Sequence, residues 1–108
     1  MLKLGIPVGL AVDGSASNDG SNLLEELRVA YLLHRLNSSS QAPDGYELLK
    51  LATQGSAAVL GAVISVHWSR VKQGDLFLIR KNRLELVGAD LDPKSMLGTV
   101  GFKGAVDY

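Results

Sequence analysis

The sequence contains no cysteine. Disulfides are excluded as a source of stability, and so are thiolate ligands to a metal. Neither sign of charge prevails: 11 basic residues balance 11 acidic ones. A neutral chain gives no electrostatic reason to expect a nucleic acid or an acidic membrane surface as partner. No apolar run approaches the ~20 residues that a membrane-spanning helix needs. The opening Met1-Leu2-Lys3-Leu4-Gly5 carries a single positive charge, without the basic region and small-residue cleavage site of a secretory signal, so a cytoplasmic location is expected. Internal repeats and low-complexity tracts are absent. No Gly-x-Gly-x-x-Gly or Gly-Lys-Ser/Thr string follows an apolar run, which weakens a nucleotide-binding half-domain reading.

What the chain does have is apolar content, 46% of 108 residues, enough for one small domain or for part of a larger one. Ile6 to Val12 reads IPVGLAV. An uninterrupted apolar run of this length fits a strand buried on both faces, as in a parallel sheet. It stops at Asp13, and the small polar residues Gly14 to Ser21 form a loop. Asn22 caps the next helix, with Glu25 at capping-box spacing. Leu24, Leu27, Ala30 and Tyr31 give that helix an apolar stripe to about Leu36. The first third is thus strand, polar loop, helix.

Asn37 to Pro43 is a serine-rich linker. Asp44 and Glu47 form a second capping-box pair, and Leu48, Leu49, Leu51 and Ala52 supply the apolar side of a second helix. Gly55 is expected to break it, with a further helical turn over Ala57 to Leu60 ending at Gly61. Asp75 to Ile79 and Leu84 to Val87 are expected as short strands. Asp92-Pro93 marks a turn or helix start, and Val106 to Tyr108 begins another strand.

Asp13 is the residue with chemical promise. A carboxylate at the C-terminal end of a buried parallel strand sits where barrel enzymes place catalytic groups, and it can bind a metal and hold its water. Loop aspartates also cap turns through backbone N–H groups, so position alone leaves both roles open.

The residues around it narrow the choice. Val12-Asp13-Gly14-Ser15-Ala16-Ser17-Asn18-Asp19 resembles the last-strand signature of the metal-dependent amidohydrolase superfamily, in the branch of 8-oxoguanine deaminases, hydroxyatrazine hydrolases and chlorohydrolases. The resemblance runs on through Asn22 to Arg28, Leu51 to Gly61, Lys72 to Ile79, Gly88-Ala89, Asp92-Pro93 and Val106 to Tyr108, covering almost the whole chain in order. It implies an α/β fold: the C-terminal fragment of a (β/α)8 barrel followed by part of a small β-sandwich domain. Residues 1–61 would be the last barrel strand, the metal-site loop and the following helices, and residues 62–108 the sandwich portion.

The resemblance also implies chemistry. Asp13 would be both metal ligand and catalytic base, on zinc or iron, for hydrolysis that removes an amino, alkylamino or halide group from a purine-, pyrimidine- or triazine-like ring. Ser15, Ser17 and Asn18 would lie beside the metal, orienting Asp13 or touching a small heterocyclic substrate; a local serine or asparagine turn is the plainer role for each. The family pattern further requires a His-x-His pair and two more histidines on other strands. This chain has only His34, within the first helix, and His67, and neither stands in such a motif. A catalytic zinc site takes about three protein ligands, and a whole barrel runs to ~250 residues. The isolated chain is therefore expected to be inactive. The alternative is a non-catalytic interaction module, or a truncated product that self-associates through its open strand edge.

One stretch departs from the family pattern. Where the family pattern usually runs close to Arg-Gly-Asp-Ile-Gly-Ser-Leu-Glu-Pro-Gly, residues 62–71 read Ala-Val-Ile-Ser-Val-His-Trp-Ser-Arg-Val. Written in one choice of codons, CGC GGT GAT ATC GGT TCA CTG GAG CCG GGT, the family string yields the observed string once the first base is removed. A one-base insertion before Lys72 restores the frame. On this reading His67 and Trp68 are accidental residues with no selected role; an ordinary strand with Trp68 in the core is the competing reading. Sequencing the encoding DNA checks it: a one-base offset against relatives across codons 62 to 71 is expected, and an in-phase alignment there would refute the frameshift.

Overall fold

The computed structural model describes residues 1–17, 20–38, 40–61 and 77–103. Helix α1 spans Leu23–Ser38. Asn22 starts it, though its side chain accepts from the Leu24 N–H (3.1 Å) while Glu25 N–H bonds the Asn22 carbonyl (3.0 Å). Arg35 near its end lies over the Tyr31 ring, 3.6 Å from the centroid, and donates to the Pro43 carbonyl at 3.0 Å. The guanidinium thus ties the end of α1 to the linker that leads into the next helix.

Helix α2 spans Gly45–Lys50 and begins with the expected capping box: Asp44 accepts from Glu47 N–H, and Glu47 accepts from Asp44 N–H. The expected break at Gly55 does not occur. The chain widens into a π-helical turn over Leu51–Gly55 and continues as helix α3, Ser56–Val59. Gly55 serves a different end there. A Cβ on it would run into the Val8 carbonyl oxygen, so glycine permits close approach of the helix to the Ile6–Val12 segment. Gly61, at φ +70°, takes the left-handed conformation that ends this helical stretch.

Helix α4, Pro93–Lys103, follows two 3₁₀ turns, Leu84–Leu86 and Ala89–Leu91. Asp92 opens it, accepting from Ser95 N–H at 2.8 Å. That backbone bond first, and the Ser95 hydroxyl second, hold the Asp92 carboxyl below its usual range. Pro93 stands at the first helical position, where a missing N–H costs nothing.

The α/β expectation needs correction on its strands. Among the described residues there is no strand. Ile6 to Val12 forms no ladder, because no described segment offers it a neighbouring strand. Leu84 to Val87 is a 3₁₀ turn, closed locally by Leu86 N–H to the Arg83 carbonyl (3.0 Å) and Val87 N–H to the Leu84 carbonyl (3.4 Å). Of the Asp75–Ile79 strand, only residues 77–79 are described, without regular structure; Phe77 and Leu78 are exposed. The expected strand at Val106 to Tyr108 and the stretch 62–71 lie outside the described residues.

Leu27, Leu48 and Ala52 form the buried core, with Leu10, Leu24, Ala30, Tyr31, Leu49 and Leu51 packed on it. Helix α4 closes this core by packing on both α1 and α2. The opposite side of α1 is not covered: Val29, Leu32, Leu33 and Leu36, spaced as one helical stripe, are exposed. No described helix is long and apolar enough to cross a membrane.

The α2–α4 crossing makes a testable asymmetry. A Cβ on Gly45 would run into the Gly98 Cα, whereas a Cβ on Gly98 meets nothing within 4 Å. Gly45→Ala is expected to cost about 1–3 kcal/mol by forcing the helices apart. Gly98→Ala is expected to gain up to about 1 kcal/mol from helix propensity. Urea unfolding of the two variants checks the order, and equal effects would contradict the crossing.

Candidate functional site

Asp13 stands where the apolar Ile6–Val12 segment gives way to the polar loop. Its backbone is left-handed, φ +63°, and no other described non-glycine residue has positive φ. Aspartate tolerates this conformation because its short side chain bonds locally. Here Asp13 Oδ1 accepts from the Gly14 N–H at 2.7 Å. The residue is exposed, and Oδ2 makes no described hydrogen bond, so the carboxylate keeps an open face for a ligand.

The loop beyond it folds into a tight turn. Ser17 donates from both its N–H (2.9 Å) and its hydroxyl (3.0 Å) to the Gly14 carbonyl. The Ser17 side chain is thereby engaged within the turn rather than on Asp13. Ser15 is exposed beside it, and Asn18 lies outside the described residues. His34 is on α1 with its side chain exposed, and His67 lies outside the described residues.

Upstream of Asp13 the chain is gripped. The Ser56 hydroxyl accepts from the Leu10 N–H at 3.0 Å and donates to the Leu10 carbonyl at 2.9 Å. One side chain thus serves both polar backbone groups of one residue. The π turn before Ser56 makes this possible, because its extra residue turns Gly55 and Ser56 toward Val8 to Leu10. Sequence reasoning missed Ser56. It lies 46 positions from Leu10, and a serine within an apolar helical stretch gives no local sign of such a partner.

A metal centre is not complete within these residues. Among the described residues, no group of three or more histidine or acidic side chains is placed to hold a metal ion. Asp13 alone does not meet the ligand count of a catalytic site, so the residues present do not fit a resident metal by themselves.

No family model matches the chain. Individual relatives do. The chain is 43% identical, over 99% of its own length, to hydroxydechloroatrazine ethylaminohydrolase of Pseudomonas sp. strain ADP, and covers 23% of that enzyme. It is 42% identical, over 86% of its length, to the 8-oxoguanine deaminase of Pseudomonas aeruginosa, covering 20% of it. A 5-methylthioadenosine/S-adenosylhomocysteine deaminase of Pelotomaculum thermopropionicum is 44% identical over 56% of the chain and 14% of the relative. All three are hydrolytic enzymes of the amidohydrolase family. By sequence the chain belongs to that family, and it spans only about a fifth of the length of the first two relatives. Deaminases of this family generally use a divalent metal.

Proposed function

We propose that the chain is a segment of a hydrolytic deaminase or aminohydrolase that cleaves an exocyclic C–N bond on a purine-, pyrimidine- or triazine-like ring. The observation that carries this is the similarity to an ethylaminohydrolase along nearly the whole chain. The 8-oxoguanine and adenosine-type deaminases among its relatives share the reaction class by name. A free heterocycle, rather than nucleic acid or a membrane, is the partner this reading requires, and the location it implies is cytoplasmic.

In this reading residues 1–61 carry the last strand of a (β/α)8 barrel, its loop and the following helices, and residues 62–108 carry part of a small β-sandwich. Two observations support it. Among the described residues Ile6 to Val12 is an apolar segment without a strand neighbour, as a barrel strand would be without its barrel. The bare stripe Val29, Leu32, Leu33 and Leu36 is apolar surface that a larger body would cover. Asp13 is the chain's contribution to the active site, as a zinc or iron ligand and catalytic base, with Ser15, Ser17 and Asn18 lining the loop. The remaining ligands come from outside these residues, and the isolated chain is inactive.

Grafting tests the reading. Residues 1–61 replace the matching part of the Pseudomonas sp. strain ADP enzyme, and turnover of its substrate is measured. The graft is expected to retain activity, and Asp13→Asn within it to lower kcat by about 10²–10⁴-fold. A graft whose turnover is indifferent to Asp13→Asn would remove Asp13 from the chemistry.

The second reading, a self-associating module, has one observation in its favour. The backbone groups of Gly9 and Ala11 make no described hydrogen bond, so one edge of the Ile6–Val12 segment is open to a strand from another copy. Size-exclusion chromatography with light scattering decides it. A concentration-dependent dimer is the outcome that this reading requires, and a monomer at all concentrations excludes it.

A further inference from the structure

We propose that Ser56 is a positioning residue for Asp13, holding the segment from which Asp13 projects by clamping both backbone groups of Leu10. The functional meaning rests on reading Asp13 as the site carboxylate; the clamp itself does not.

The contact is built for one geometry. In an extended chain the N–H and C=O of a residue leave from the same edge, where a neighbouring strand would normally take both. Among the described residues no strand does so at Leu10. The Ser56 hydroxyl takes the strand's place, accepting at 3.0 Å and donating at 2.9 Å. Its single proton also has the Leu51 carbonyl within 3.3 Å, but the shorter approach is to Leu10. Hydroxyl chemistry is essential here, since one atom must accept and donate at once. A methyl group in its place would leave both Leu10 groups without a partner.

The fit on either side shows that the approach is close. A Cβ on Gly9 would stand 2.6 Å from the Ser56 Cα and 2.8 Å from its Oγ, and a Cβ on Gly55 would meet the Val8 carbonyl oxygen. Two glycines thus let the segment and the helical stretch touch backbone to backbone, and the serine locks the register between them. Leu10 side-chain packing on the Leu27–Leu48–Ala52 core fixes the same residue from another direction.

Asp13 lies only three residues beyond the clamp, a reach of at most about 10 Å. Ala11 and Val12 alone separate the two, so the direction in which the chain leaves Leu10 sets where the left-handed Asp13 turn begins. A slip of the segment along the helix would carry the carboxylate with it. Ser56 therefore acts on Asp13 through the backbone, without touching it.

Nuclear magnetic resonance on the full 108-residue chain tests this. The readouts are hydrogen exchange at the Leu10 amide and the backbone shifts of Asp13 and Gly14, which report the left-handed turn. Ser56→Ala is expected to speed Leu10 exchange by about tenfold or more and to move the Asp13 and Gly14 shifts, while the Leu48 and Ala52 amides keep their protection. Ser56→Thr, which keeps the hydroxyl, is expected to restore both signatures. Unchanged Asp13 and Gly14 shifts in Ser56→Ala would overturn the proposal, as would a Leu10 amide that exchanges freely in the parent chain. If Ser56→Ala unfolds the chain, Ser56→Cys takes its place: similar in shape but a weaker donor and acceptor, it must show faster Leu10 exchange and shifted Asp13 signals, and parent-like values overturn the clamp. None of these readouts needs turnover or metal. An inactive graft would leave the clamp standing, and a failed clamp would leave the deaminase reading standing.

Discussion

An apolar segment can lie against a helix only if its backbone polar groups find partners, and at Leu10 the Ser56 hydroxyl meets that demand for both groups at once. The rest of the arrangement depends on that contact. It fixes Ile6 to Val12 on the helical stretch, which lets Leu10 join the core, and it sets the point from which Asp13 departs. The glycines at 9 and 55 are the steric condition for it, and the π turn over Leu51–Gly55 is the backbone adjustment that brings Ser56 round.

The sequence was legible wherever the governing interaction is local. Asp44 and Glu47 announce a capping box, and it forms. Leu24, Leu27, Ala30 and Tyr31 mark one face of α1, and that face meets the core. Asp92-Pro93 announces a turn or a helix start, and α4 begins there. What was not legible is non-local. Gly55 looks like a helix breaker within its own neighbourhood, and only the distant Val8 carbonyl explains it. The apolar pattern of Ile6 to Val12 is that of a buried strand, yet a strand is defined by its neighbour, and no described residue supplies one. Leu84 to Val87 has strand-like composition but closes on itself as a 3₁₀ turn. Asp13 stood out in the sequence by its place at the end of an apolar run, while the left-handed backbone that presents it shows only in three dimensions.

The apolar surfaces divide into covered and bare. Leu27, Leu48, Ala52, Ala57 and Leu86 are buried, while Val29, Leu32, Leu33, Leu36 and the open edge at Gly9 and Ala11 are not. In the proposed reading, a body of the size of the relatives, of which the chain matches 23% in the ethylaminohydrolase, covers these surfaces. The same partition applies to the chemistry. One carboxylate is presented on an ordered turn, and no ligand set surrounds it among the described residues.

Metal content measures that partition directly. The purified 108-residue chain, equilibrated with zinc or with ferrous iron and passed through gel filtration, is expected to retain far less than one metal ion per chain by mass spectrometry, with no difference between the parent and Asp13→Ala. One tightly held ion per chain, lost in Asp13→Ala, would contradict the claim that Asp13 is a single corner of a site completed elsewhere.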